Sequence, residues 1–331
     1  MRTATLYRRH REGDPTLYAA QVDAGNDQAE RIVGAMNAIH GAHAGRRAVH
    51  AKGSCCRGTF VATPEVADVT IASHLQGNEV PVTVRFSNGS GRPTRADGAR
   101  DERGMAVKFH LADGTTTDLV SLTLPVFFVR NPEDFLTFLE TQRPDPDTGK
   151  PDLEKVAAFV SEHPETQKAI GFSMLSSSPA SFSNCTFHGI HAFRFEAKNG
   201  NKRFGRYRWI PAAGEGTLSD EETRALGRDY LHEELERRLQ GSAIVYDLEI
   251  RFAVEGDDPS DPTTPWSEEN PSIPAGRLTL TEFGGADCDA MIFDPSRLIA
   301  GIESSDDLIL KARSPAYSVS FARRSSSGDE A

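Results

Sequence analysis

Only four cysteines occur among the 331 residues, and none falls in a C-x-x-C pair, so a zinc ribbon is set aside. Adjacent Cys55 and Cys56 are expected to be two thiols on a strand rather than a vicinal disulfide. No apolar run approaches the roughly 20 residues that a membrane helix requires. The first residues, MRTATLYRRHREGD, are basic but have no apolar core, so no signal peptide is expected and a cytoplasmic location is. Positive charge is also short. There are 37 Lys and Arg against 48 Asp and Glu, a net charge of -11. That balance argues against a general nucleic-acid binder or an anionic-membrane binder. No G-x-S-x-G elbow exists, and Gly89-Ser90-Gly91 lacks its strand–turn–helix setting, so a serine hydrolase is set aside.

What is present suits a soluble globular chain of one large domain or two ordinary ones, with 38% hydrophobic and 26% charged residues. Residues 26–39 place Ile32, Val33, Met36 and Ile39 at helical spacing. A long middle region is strand-like: VTVRFS (82–87), MAVKFHL (105–111), HAFRFE (191–196) and RFGRYRW (203–209). The last two flank Lys198-Asn199-Gly200-Asn201 and read as a hairpin. The clearest strand is AIVYDLEIRFAV (243–254), with Ile244, Tyr246, Leu248, Ile250, Phe252 and Val254 on one face. GRLTLTEF (276–283) is another. Helices are expected over 132–142, over 153–163, and from a capping box at Ser219 and Glu222 along a Leu-spaced run to Leu239. The segment 255–272, rich in Pro, Asp and Ser, reads as a surface loop. Many strands with segregated helices predict an α+β fold built on an antiparallel sheet or barrel.

Three residues carry the chemistry. Arg313 and Tyr317 lie four apart near the end of the chain, and His50 stands alone near its start. A tyrosine oxygen can ligate ferric iron, and a haem held by tyrosine is one of the known axial arrangements. A guanidinium beside the phenol favours the ligating phenolate. A histidine on the other haem face would serve as acid and base toward a peroxide. Pro315 lies between Arg313 and Tyr317; it predicts either a tolerated kink or a helix restarted at Pro315 with Ser314 as its cap. His188 and His191 would face opposite sides of a strand. His40 and His43 have no evident carboxylate or thiol partner, so neither pair reads as a metal site.

Five segments, in order, resemble the haem catalases and more closely their short catalase-related peroxidase branch. They are RRAVHAKGSCCRGTF (46–60), VRFSNGSG (84–91), RDERGMAVKFH (100–110), TDLVSLTLPVFFVRNPEDF (117–135) and FDPSRLIAGIESSDDLILKARSPAY (293–317). The resemblance runs from about residue 20 to Arg324. It implies an antiparallel eight-stranded β-barrel with surrounding helices and a buried haem b. It divides the chain into an N-terminal arm (1–19), a haem domain (20–324) and a disordered tail (325–331). It implies that His50 is the distal acid–base, that Ser87 orients it, and that Tyr317 is the iron ligand with Arg313 as partner. Arg47, Arg85 and Arg324 match the residues that pair with haem propionates, with Arg323 as an alternative to the last. Phe127 and Phe135 match the aromatics over the haem.

The departures are equally informative. Catalases carry a distal asparagine where this chain has Leu122, with Thr123 beside it as a compensating hydroxyl. A lost electrostatic donor costs about 10²–10³ in rate. The expected function is therefore reduction of hydrogen peroxide or organic hydroperoxides with a small organic electron donor, with weak catalase activity. Two alternatives are a fatty-acid hydroperoxide isomerase resembling allene oxide synthases, and a haem-binding or sensing protein without turnover. The long arm of the tetrameric catalases and their C-terminal helical domain are missing, so a homodimer and no NADPH are expected.

Overall fold

The computed structural model describes residues 15–285 and 288–326, with side chains from residue 25 on. Helix α1 (Pro15–His40) precedes four strands: β1 (Gly53–Ala62), β2 (Glu79–Asn88), β3 (Arg103–His110) and β4 (Thr116–Leu122). Three helices follow: α2 (Pro132–Thr141), α3 (Leu153–Glu162) and α4 (Pro164–Leu175). Then come β5 (Ser178–Pro179), β6 (Phe187–His188), β7 (Phe193–Glu196), β8 (Lys202–Pro211) and β9 (Thr217–Leu218). Helices α5 (Asp220–Ala225) and α6 (Tyr230–Gly241) lead to β10 (Ile244–Phe252), β11 (Ser272–Phe283) and β12 (Ile302–Ser304). Helix α7 (Leu308–Ser326) is the last. The arm expected over 1–19 is helical from Pro15; its residues 1–14, and residues 327–331 of the expected tail, lie outside the described residues.

Strands β10, β11, β1, β2, β3, β4, β6 and β8 pair in that order, and β8 pairs back to β10. The result is a closed, eight-stranded, antiparallel barrel, with β7 and β12 continuing beyond β8. Closure removes the exposed edges of those eight strands. The interior is filled from alternate positions. Ile244, Tyr246, Leu248, Ile250 and Phe252 of β10 are all buried, while Val254 lies past the strand end and is exposed. Phe60 meets Phe109 edge-on at 5.2 Å and Trp209 at 6.0 Å. The expected hairpin of β7 and β8 forms, with Phe193 opposite Gly205 and Glu196 opposite Lys202. Its turn rests on Gly200 at φ 82°, a left-handed position that glycine takes without steric cost.

Outside the barrel, α1 lays Ile32 against Leu136 and Leu139 of α2. Helix α4, which the sequence reading did not pick out, follows α3 directly through Pro164. The helix expected from Ser219 to Leu239 is two helices. Its capping box forms as read, but α5 ends at Leu226, which is extended. The break serves a buried carboxylate: Asp97 accepts the Leu231 amide at 2.8 Å and the Lys52 ammonium at 2.5 Å. A buried charge needs such partners, and a continuous helix would leave the Leu231 amide inside its own ladder.

Phe60→Ala removes the ring that joins two sides of the barrel interior and should cost about 3–5 kcal/mol. A lower midpoint in urea unfolding, with the far-ultraviolet spectrum retained in buffer, is the expected result.

Candidate functional site

The outer face of the barrel wall forms one side of the site. Val84 and Phe86 point into the barrel core, so Arg85 and Ser87 point out. The register then sets two rows across β2, β3 and β4. Ser87 pairs with Gly104 and Gly104 with Leu122; Arg85 pairs with Ala106 and Ala106 with Val120. All six line one cavity of about 540 Å³, closed on the other sides by α1, α2, α4 and α7.

His50 enters from the segment between α1 and β1. It stands at φ 54°, among the described residues the sole non-glycine in the left-handed region. That backbone is held by its own amide on the Gly89 carbonyl (2.9 Å) and by Arg85 Nη2 donating to its carbonyl (2.9 Å). Its ring packs over Gly104: a Cβ there would lie 2.9 Å from His50 Nδ1 and 2.8 Å from Ser87 Oγ. Nδ1 is within 3.0 Å of Ser87 Oγ, and among the described residues Nε2 has no protein partner and is left to the cavity. Burial, with Arg85, Arg313 and Arg47 adding repulsion, pushes the imidazole down to about 3. The ring is therefore neutral at ordinary pH and able to take a proton.

Tyr317 reaches the cavity from α7, which runs unbroken through Pro315. Ser314 does not restart the helix as a cap; its hydroxyl donates to Asp294 Oδ2 at 2.6 Å. Arg313 and Tyr317 meet: Nε donates to the phenol oxygen at 3.0 Å and Nη2 donates to it as well. Two donors aimed at one oxygen suit a phenolate. Behind them stand Asp307, which the sequence reading missed, and His191, which it weighed only as a metal ligand with His188. Arg313 Nη1 donates to His191 Nε2 at 2.9 Å, and His191 Nδ1 donates to Asp307 Oδ2 at 2.6 Å. This order fixes the His191 tautomer with its proton on Nδ1. Burial lowers the His191 pKa against the opposing pull of Asp307, which keeps Nε2 available as an acceptor. Asp307 also accepts the Leu310 amide at 3.1 Å, so the residue that caps α7 anchors its active face. The acidic residues before α7 were the available signal, since an Asp there is a natural cap.

Arg47, Arg85 and Arg324 converge on one end of the cavity. Arg47 Nη1 pairs with Asp289 at 2.5 Å, Arg85 with the same carboxylate at 3.5 Å, and Arg324 donates to the Asp289 carbonyl at 2.9 Å. Burial and mutual repulsion push Arg85 down to about 9 and Arg324 to about 10. Anionic groups placed among them would relieve that repulsion. Arg323 instead pairs with Glu30 away from the cavity, so Arg324 is the arginine at the site. Phe127 and Phe135 line the cavity 5.4 Å apart and edge-on. Thr123 does not line it; its hydroxyl accepts the Arg103 amide at 2.9 Å.

The cysteines correct the expectation of free thiols at positions 55 and 56. Cys55 is bridged to Cys288, while Cys56 stays a free, buried thiol. Neighbours on a strand point to opposite faces, so the two could not meet each other and only Cys55 looks toward the 288 segment.

A phenol backed by a guanidinium on one wall, a neutral imidazole on another, arginines at one end and aromatic rings between fit a planar dicarboxylate cofactor. The fold and the cavity's residues define a haem-binding protein. The catalase family model matches residues 32–328, and the chain belongs to the catalase family. It is 38% identical over 302 residues to the catalase-related peroxidase of Mycolicibacterium paratuberculosis, covering 89% of this chain and 94% of that protein. It is 35% identical to the catalase-related peroxidase of Synechococcus elongatus, covering 89% and 88% of the two chains. A fungal catalase structure superposes with a TM-score of 0.78 at 24% identity, over 98% of this chain and 66% of that one, which speaks to fold. Haem b is the family's cofactor, and the residues here fit it.

Two outcomes test this geometry. Gly104→Ala should displace the imidazole and slow peroxide reduction by about tenfold or more, as loss of an orienting contact does, while haem content is retained; steady-state kinetics checks it. His50 is neutral when folded above about 3 but takes a proton near its ordinary 6.5 when unfolded. Its contribution to stability is thus lost as pH falls from 6.5 toward 3. His50→Gln should flatten that part of the melting-temperature profile relative to the parent.

Proposed function

We propose that this protein is a haem peroxidase that reduces hydrogen peroxide or organic hydroperoxides with a small organic electron donor and has little catalase activity. Family membership makes it a peroxide-acting oxidoreductase with a haem cofactor. The division between the two activities and the residue roles are our reading. The observation that carries it is the row Ser87–Gly104–Leu122, which sets an apolar side chain beside the imidazole that lies over Gly104.

Bound haem supplies the iron at which the peroxide O–O bond breaks and from which oxidising equivalents pass to a donor. Tyr317 would hold that iron through its oxygen, with Arg313 donating to that oxygen and His191 and Asp307 keeping Arg313 in place. Arg47, Arg85 and Arg324 would take the two propionates, for which guanidinium forks are suited. Phe127 and Phe135 would cover the ring. His50 Nε2 takes the proton from the incoming peroxide and returns it to the departing oxygen, a role open to a neutral imidazole. Ser87 holds Nδ1 and so fixes which nitrogen works. Oxidising a second peroxide to oxygen would ask more of the pocket, because that molecule, as the reductant, must be held with its hydrogens toward the acceptor. Leu122 has no group to hold it, whereas a bulky donor can deliver electrons without entering the pocket.

A haem-reconstituted sample mixed with one equivalent of hydrogen peroxide should change its visible spectrum, and an aromatic donor should restore it. Retained haem with no spectral response would defeat the peroxidase reading. With an organic hydroperoxide the product should be the alcohol; an epoxide or ketol would mean an isomerase instead. Leu122→Asn should raise oxygen release from hydrogen peroxide by about tenfold or more, within the range such donors contribute, with donor oxidation little changed. An oxygen electrode beside a donor-oxidation assay reads both.

A further inference from the structure

The bridge between Cys55 and Cys288 joins parts of the chain 233 residues apart, and both ends touch the arginine cluster. Cys55 is the cross-strand partner of Arg85. Cys288 opens a short segment whose oxygens hold the other arginines. Its own carbonyl accepts Arg47 Nη2 at 2.5 Å. The Asp289 carboxylate takes Arg46 at 3.0 Å as well as Arg47 and Arg85. The Met291 carbonyl accepts Arg47 at 2.8 Å and Arg324 at 2.9 Å. The segment sits at the end of β11, where the backbone tie to β1 is the Gly284 amide on the Cys55 carbonyl (2.9 Å). The sulfur bridge is thus the covalent tie between the barrel strand beside Arg85 and the segment that orders all three cavity arginines. Cys56 and Cys185 are a contrast: burial pushes each thiol up to about 12, and neither is bridged.

We propose that Cys55 and Cys288 are a peroxide-formed latch, whose disulfide fixes the arginine-holding segment to the barrel and whose reduction loosens the grip on the cofactor's carboxylates. This rests on the reading that Arg47, Arg85 and Arg324 hold the haem propionates. Closure balances with the protein's own substrate as oxidant. One thiolate attacks a peroxide oxygen, the O–O bond breaks, and a sulfenic acid and one water form. The second thiol displaces the sulfenic oxygen as another water and makes the S–S bond. Two electrons pass from the sulfurs to peroxide. Opening takes two electrons and two protons from a dithiol, which leaves as its cyclic disulfide. The latch couples peroxide exposure to cofactor retention: the site tightens under the conditions in which it works.

The test uses the whole protein, oxidised with one equivalent of hydrogen peroxide or reduced with dithiothreitol, then loaded with haem. Thiol titration under denaturing conditions should find four thiols in the reduced form and two in the oxidised form. Haem transfer to an excess of apomyoglobin should be about tenfold faster from the reduced form, as expected when a local opening loses one tether. Cys288→Ala should transfer haem at the reduced rate and ignore dithiothreitol; Cys56→Ala should behave as the parent. Chemical reduction of the unaltered chain keeps the test valid if the Cys288 variant folds poorly. Equal transfer rates from both forms, with haem bound in each, would overturn the latch while leaving the site reading intact. Failure of both forms to take up haem would overturn the site reading and the latch with it.

Discussion

The antiparallel register of β2, β3 and β4 is the constraint on which the rest depends. Because side chains alternate across a strand, one register places Val84 and Phe86 in the barrel core and Arg85 and Ser87 on the outer wall. A slip of one residue would turn the core into the site and the site into the core. The same register aligns Gly104 with Ser87, and that missing side chain is the space in which the His50 ring lies. Barrel stability and imidazole position are thus consequences of a single pairing.

The second wall works through charge. Helix α7 carries the phenol, but the helix is anchored from its first turn by Asp307, whose other oxygen fixes His191 and through it Arg313. In the series Asp307, His191, Arg313 and Tyr317 each group is hydrogen-bonded to the next, which is the condition under which burying such groups is tolerated. Pro315 removes one backbone donor from α7 and the helix continues past it. The Ser314 hydroxyl bonded to Asp294 secures the helix at that point against the segment that leads into it.

The arginine end shows what gathering several buried guanidinium groups asks of a fold. Arg85 is almost wholly buried and Arg324 nearly so, with burial and like charge both opposing their ionised forms. The segment from Cys288 to Met291 answers with backbone carbonyls and one carboxylate, oxygens that order guanidinium groups which also line the cavity. Guanidinium groups held in this way would meet anionic groups without reorganising, the condition under which charge stabilisation is strongest.

Much of this was legible in the residues. The alternation in β10, the turn at Gly200 and the capping box at Ser219 marked a strand, the hairpin and a helix start, because periodicity and local spacing are properties of short stretches; the five ordered segments marked the cavity residues through their resemblance to the catalases. The nine residues to which the resemblance gives a catalytic or haem-holding role all line one cavity. Other features left no local mark. The left-handed backbone of His50 depends on Gly89 and Arg85; the break after Leu226 depends on Asp97; His191 acquires its purpose from Asp307, 116 residues away. The partner of Cys55 was hidden for the same reason. Sequence by itself determined which segments would be strands and which side chains were chemically apt. Tertiary structure alone decided their partners, because hydrogen bonds and disulfides between distant residues are set by strand register and helix docking rather than by anything the neighbouring residues encode.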